Sequence, residues 1–144
     1  MPANKGGRVL YTAKTETSGL LEAQCKSSDG RLDIRLTAPG AKGQGTNPEQ
    51  LLAAGWSACF TLSLYHVASR MGVVLPADTR VDTEIDLCNT AGNYDGQFYI
   101  QARMKVDLPG LDRLVAQRVM DEAHRTCPYN EAMKGNVDPE IELH

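Results

Sequence analysis

From Leu51 to Leu64 the chain carries no formal charge. This run, LLAAGWSACFTLSL, constrains the fold more than any other segment. Its beginning reads as a helix N-terminus. Asn47 is a good cap, and Pro48 suits the first helical position, where no amide donor is needed. Gln50 stands three residues after the cap, where its side chain can reach back to the Asn47 amide. The helix is expected to run on through Tyr65-His66-Val67-Ala68 and to stop at Gly72, a suitable C-terminal glycine after Arg70. A helix apolar on all sides is expected to be buried on all sides. Ala53, Ala54, Gly55, Ser57 and Ala58 are small and let another backbone approach closely. One thiol, Cys59, sits in the middle.

Several classes of function are excluded at this stage. The uncharged run is about 14 residues long and includes Ser and Thr, short of the roughly 18–20 residues that a membrane span needs. No span is therefore expected. The first residues, MPANKGGRV, lack the apolar core of a signal peptide, so a cytoplasmic location is the default expectation. The 144 residues predict a single domain, 1–144, able to bury a real core. Charged residues make up 23% and the net charge is −3, which leaves no nucleic-acid footprint. In a reducing compartment Cys25, Cys59, Cys88 and Cys127 read as thiols, not as a disulfide framework.

Around the helix the pattern alternates. Val9–Thr17, Ala23–Ser27 and Arg31–Thr37 read as three antiparallel strands, with a turn at Ser28-Asp29-Gly30. Ala38–Thr46 is a glycine-rich loop without the Gly-Lys-Ser/Thr ending of a phosphate-binding loop. Arg80–Leu87 and Phe98–Leu108 form a hairpin across the turn Gly92–Gly96, with Phe98, Ile100, Ala102, Met104, Val106 and Leu108 on one face. Pro109-Gly110 breaks that strand. Leu111–Arg125 is then an amphipathic helix with Leu111, Val115, Val119 and Ala123 in register. Pro128 interrupts or restarts it, and Val137–Leu143 is a strand-like tail. The order βββ-α-ββ-α-(β) predicts an α+β fold.

The cysteines carry the chemistry that the sequence offers. By residue type alone Cys59 is open between a reactive thiol and a small core hydrophobe. Cys25 and Cys88 take ordinary strand positions. Cys127 stands at a helix boundary before Pro128, where a thiol can be partly exposed. Its separation of 68 residues from Cys59 says nothing about proximity. Cys59, His66, His124 and Cys127 are residue types that can bind zinc, but they include no Cys-x-x-Cys pair. A hydrolytic cysteine–histidine pair is no better supported.

Five blocks then resemble one family. Val9-Leu-Tyr-Thr-Ala13, Ser27-Ser-Asp-Gly30 with Leu32, Gly45-Thr-Asn-Pro-Glu-Gln-Leu51, Ala53-Ala-Gly-Trp-Ser-Ala-Cys-Phe60, and Cys127-Pro-Tyr129 with Gly135-Asn136 stand in order from Val9 to Leu143. They resemble the organic hydroperoxide resistance (Ohr) branch of the Ohr/OsmC family. The resemblance implies a fold of antiparallel sheets packed around two central helices in an intertwined homodimer. It implies a cysteine-based peroxidase of the antioxidant stress response that reduces organic hydroperoxides to alcohols, and no metal, haem or flavin cofactor. Cys59 would be the thiolate that attacks the peroxide and becomes a sulfenic acid, and Cys127 the thiol that condenses with it to a disulfide. A dithiol on a lipoylated protein would be the reductant.

Glu49 matches the family's active-site carboxylate. It lies ten residues before Cys59, about 15 Å along one straight helix, too far for a direct pair. It can meet a Cys59 only from another chain or through a large bend. The chain departs from the family at the first hairpin, where Gly-Gly-Arg is usual and the arginine pairs with that carboxylate. Here the segment is Gly19-Leu20-Leu21-Glu22, with Leu21 at the arginine position. Arg8, Arg31, Arg35, Arg125 and Lys134 are the candidate substitutes. Two functions stay open: an organic hydroperoxide reductase, or a weak peroxidase that serves as an apolar or acyl ligand-binding module or slow thiol sensor. Thiolate character at Cys59 separates them.

Overall fold

The computed structural model describes residues 5–144. Two compact units divide the chain, Met1–Pro48 and Glu49–His144, and each holds its own sheet. In the first unit β1 (Thr15–Gly19), β2 (Glu22–Ser27) and β3 (Asp33–Thr37) form the expected antiparallel meander. Gly19 makes the β1–β2 turn at φ 103°, where a Cβ would collide with the Glu22 carbonyl. Cys25 is buried, opposite Thr17 and Ile34. The glycine-rich loop folds back along β3, with the Thr37 N–H donating to Thr46 O and the Thr46 N–H to Arg35 O. The first strand is shorter than expected. Val9, Leu10 and Tyr11 lie outside β1 and are each at least 77% exposed, because no described strand pairs with them.

The second unit opens with α1 (Pro48–Arg70), then β4 (Arg80–Asn89), β5 (Phe98–Asp107), α2 (Arg113–Thr126), α3 (Pro128–Met133) and β6 (Glu140–Leu143). β4 and β5 pair antiparallel from Arg80↔Asp107 to Asn89↔Phe98. Ala102, Met104 and Val106 turn into the core, and Leu108 just beyond β5 is buried with them. On the opposite face Arg103 holds Glu84 at 2.9 Å and Asp86 at 2.6 Å. The family fold implies antiparallel sheets, but β6 runs parallel to β5. The two helices between them form the crossover that a parallel neighbour requires.

The Asp112 side chain caps α2, accepting from the N–H groups of Leu114 (3.0 Å) and Val115 (3.2 Å). Its buried stripe is Ala116, Val119, Met120 and Ala123, so the apolar seam lies beside the expected one and Leu114 faces solvent.

The central helix runs on past the uncharged segment to Arg70 as expected, 23 residues and about 34 Å, and differs from expectation in two other respects. By length and composition α1 is able to cross a membrane, so the expected lack of a span cannot rest on length. What marks it as a core helix is packing. Trp56, Phe60, Leu64, Val67 and Ala68 belong to the cluster that also holds the buried residues of β5 and α2. Nor is it buried on all sides. Ala54, Ala58, Thr61, Leu62 and Tyr65 form an exposed face, with Leu62 60% and Tyr65 59% exposed. A single stripe suffices to cover the sheet of this unit, and no described residue covers the other.

Candidate active site

One helix interruption builds the site. Pro128 disfavours helical geometry at the residue before it, and Cys127 accordingly adopts φ −65°, ψ 122°. Its N–H still closes the last turn of α2 on Ala123 O at 2.9 Å. Chain direction changes at this residue, the side chain turns inward, and Cys127 is completely buried. This reverses the expectation of a partly exposed thiol. Cys59, in the middle of α1, is the half-buried member of the pair. The two Sγ atoms lie 3.8 Å apart, both as free thiols.

The surroundings of Cys59 oppose its ionisation. Burial pushes the thiol above its ordinary value, and the neighbouring Cys127 pushes in the same direction. The backbone N–H of Tyr129 donates to the sulfur and pulls the other way, without cancelling the burial. Tyr129 is seated by Gly55, where a Cβ would stand 2.7 Å from the Tyr129 hydroxyl. The close approach permitted by this small residue is taken by a ring, not by a second backbone. The Tyr129 and Trp56 rings are 6.3 Å apart.

Side chains beside the thiols that the sequence analysis did not single out are Trp56 and Asn130. The Trp56 Nε1–H donates to Asn130 Oδ1 at 2.6 Å, and both residues are buried. Asparagine in a short helix is ordinarily a surface residue. Its position three residues after Cys127 was the only available signal, and that spacing does not reveal burial.

Glu49 is not brought to Cys59 within the chain. α1 runs unbroken between them, which keeps the ten-residue separation at about 15 Å. Glu49 Oε2 is buried and has no hydrogen-bond partner among the described residues. Leu20 and Leu21 occupy the β1–β2 turn, 94% and 70% exposed. Of the candidate cations, Arg125 is held by Glu122 at 2.5 Å. Among the described residues no three His, Cys, Asp or Glu side chains gather around a point that could hold a metal ion. His66 and His124 are exposed, and the Nδ1 of His124 is taken by Asn130 at 2.9 Å.

Comparison with known proteins places this geometry in context. The family model described as OsmC-like protein matches residues 41–142. The organic hydroperoxide resistance protein of Xanthomonas axonopodis pv. citri is 39% identical over 94% of this chain and 96% of its own length. Protein OhrB of Bacillus subtilis, also an organic hydroperoxide resistance protein, is 39% identical over 94% and 98%. Its crystal structure matches with a TM-score of 0.83, covering 94% of this chain and all of that one. An organic hydroperoxide resistance protein OsmC from Legionella pneumophila matches with a TM-score of 0.85 at 33% identity, covering 94% and 98%.

Proposed function

The chain belongs to the organic hydroperoxide resistance branch of the OsmC-like family, and from that premise we propose that it is a cysteine-based peroxidase that detoxifies organic hydroperoxides. The Cys59 thiolate attacks the distal oxygen of ROOH. The O–O bond breaks, the distal OH stays on Cys59 as a sulfenic acid, and the alkoxide takes up the proton that Cys59 lost on ionising and leaves as the alcohol ROH. The Cys127 sulfur then attacks the Cys59 sulfur, water leaves, and a disulfide joins them. A dithiol, such as the dihydrolipoyl group of a lipoylated protein, returns the pair to thiols by exchange.

One observation carries this reading: two free thiols 68 residues apart in sequence lie 3.8 Å from each other. A disulfide is about 2.05 Å long, so closure needs an approach of under ~2 Å. The asymmetry of burial suits the roles. The half-buried Cys59 is the one that a hydroperoxide can reach, and the enclosed Cys127 meets only Cys59.

The active form in this reading is a homodimer. The exposed apolar face of α1 and the unpaired stretch Val9-Leu10-Tyr11 are surfaces that a second copy would bury. A second copy also resolves the position of Glu49, whose carboxylate reaches no thiol of its own chain and retains an unsatisfied oxygen. In the dimer Glu49 would face the partner's thiol site and orient the hydroperoxide there.

The raised pKa of Cys59 favours a second reading. With few thiolates at neutral pH the chain would be a weak peroxidase, and the site would serve as an apolar or acyl ligand-binding module or a slow thiol sensor. Reaction with a bulky organic hydroperoxide and, separately, with hydrogen peroxide decides between them. The peroxidase reading expects rapid loss of two thiols, faster with the organic peroxide, abolished by Cys59→Ser and reduced to one thiol by Cys127→Ser. Reaction no faster than that of a small free thiol overturns it in favour of the binding module.

A further inference from the structure

The contact between the two thiols is flanked by a second contact between the same two segments. Trp56 precedes Cys59 by three residues in α1, and Asn130 follows Cys127 by three residues in α3. Trp56 and Cys59 share a face of α1, and Asn130 is the third residue of the short helix that Cys127 caps. The bond from Trp56 Nε1 to Asn130 Oδ1, 2.6 Å, thus lies as a rung next to the 3.8 Å contact of Cys59 with Cys127.

Asn130 does more than accept from the indole. Its Nδ2 donates to His124 Nδ1 at 2.9 Å and contacts the His124 carbonyl at 3.4 Å. The orientation of the amide follows from chemistry. An indole N–H can only donate, so Oδ1 must face Trp56 and Nδ2 must face the histidine. One buried side chain therefore ties α1, the end of α2 and α3 together at the turn that holds Cys127. Its acceptor and its donors are all engaged, the condition under which a buried polar group specifies a single geometry.

We propose that Asn130 is the positioning residue for disulfide closure: by bridging Trp56 and His124 it keeps Cys127 facing Cys59 and sets the rate of S–S formation. The proposal rests on the reading of Cys59 and Cys127 as a redox pair. Closure from an oxidised Cys59 is an intramolecular attack, and its rate depends on how much of the time the second sulfur is aligned. Without the bridge the Pro128 turn keeps its backbone bonds and the packing of Tyr129 beside Gly55 and Trp56, but Cys127 samples orientations from which attack is not in line.

The test isolates closure from peroxide chemistry. In a Cys25→Ser, Cys88→Ser background, reduced protein is mixed with a dipyridyl disulfide. Cys59 forms a mixed disulfide and releases one pyridinethione. Cys127 then displaces the second and closes the Cys59–Cys127 bond, so one chromophore reads both steps. In Asn130→Ala the ratio of the second rate to the first is expected to fall about tenfold, the scale of one lost buried hydrogen bond. Asn130→Asp keeps the acceptor for the Trp56 N–H but offers His124 no donor, so it breaks one end of the bridge and is expected to lower the ratio as well, by less than Asn130→Ala. An unchanged ratio in Asn130→Ala, or equal slowing of both steps, overturns the proposal, as does a wild-type ratio in Asn130→Asp, which would show that the bond to His124 sets nothing. If Asn130→Ala does not fold, Trp56→Phe removes the same bond from its other end and carries the same two outcomes. A chain that closes in this assay but consumes no hydroperoxide would refute the peroxidase reading and leave the role of Asn130 intact.

Discussion

The Tyr129 amide eases ionisation of Cys59, yet burial of that sulfur outweighs it and leaves the thiol harder to ionise than a free cysteine. The sign of its pH dependence follows. Below about 8.5, the usual cysteine value, Cys59 is neutral in both the folded and unfolded chain and titration contributes nothing against folding. As pH rises past that value the unfolded thiol ionises first, and stability is lost until the folded thiol also ionises. Chemical denaturation across this alkaline window should therefore show a falling midpoint, with part of the slope absent in Cys59→Ser. Alkylation of Cys59 should rise about tenfold per pH unit beyond 8.5 instead of levelling there. A plateau near neutral pH would mean that the thiolate is stabilised by a group outside the single chain.

Closing the pair should stabilise the protein. A bond between Cys59 and Cys127 encloses a loop of 68 residues, which by chain entropy corresponds to about 4 kcal/mol. Oxidised protein is expected to unfold at a clearly higher denaturant midpoint than reduced protein. The difference should vanish in Cys59→Ser and in Cys127→Ser. Equal midpoints for the two redox states would show that the bond strains the folded chain by as much as it restrains the unfolded one.

Gly55 and Tyr129 form a steric pair that can be tested separately from the thiols. In Gly55→Ala the new Cβ would crowd the Tyr129 hydroxyl at 2.7 Å and the adjoining ring carbon at 3.4 Å, so the ring must tilt. Helix propensity gains up to about 1 kcal/mol, while overpacking costs about 1–3 kcal/mol. A net loss of about 1 kcal/mol is expected in thermal unfolding. The Tyr129 amide moves with its ring, so alkylation of Cys59 at a fixed pH should slow. Unchanged alkylation would show that the ring tilts without moving the amide.

The limits of the sequence as a guide are physical. The hairpin of β4 and β5 was legible because Ala102, Met104 and Val106 alternate with polar residues and one face is buried. The cap and start of α1 were legible from Asn47-Pro48. The strand read at Val9 was not, because no described strand pairs with its first residues. The exposure of the two thiols was inverted, since the φ and ψ that Pro128 imposes on Cys127 decide where that side chain points. Nothing in the spacing of Trp56, His124 and Asn130 announces a hydrogen-bonded triad, because each joins a different helix. Local patterns were legible where both partners are local, as in the β4–β5 hairpin, and contacts that need the tertiary fold were not.

Charge placed on the exposed face of α1 tests the homodimer and the role of Glu49 together. Leu62 and Tyr65 are 60% and 59% exposed in the single chain, so Leu62→Glu with Tyr65→Glu should largely preserve its helix content and cost only about 1 kcal/mol. If a second copy packs there, two charges buried without partners are prohibitive. The sedimentation coefficient should then fall to that of a monomer. Glu49→Gln supplies the complementary arm. It keeps the shape of a side chain whose Oε2 is buried without a donor, so folding should be unaffected or slightly improved. If that carboxylate orients hydroperoxide at the partner's thiol, Glu49→Gln should lower the oxidation rate by about tenfold or more while remaining dimeric. The charged-face variant should lose the same factor by losing the partner. Full peroxide reactivity in a demonstrated monomer would sever Glu49 from the chemistry and return it to the ordinary role of an acid in the first turn of a helix.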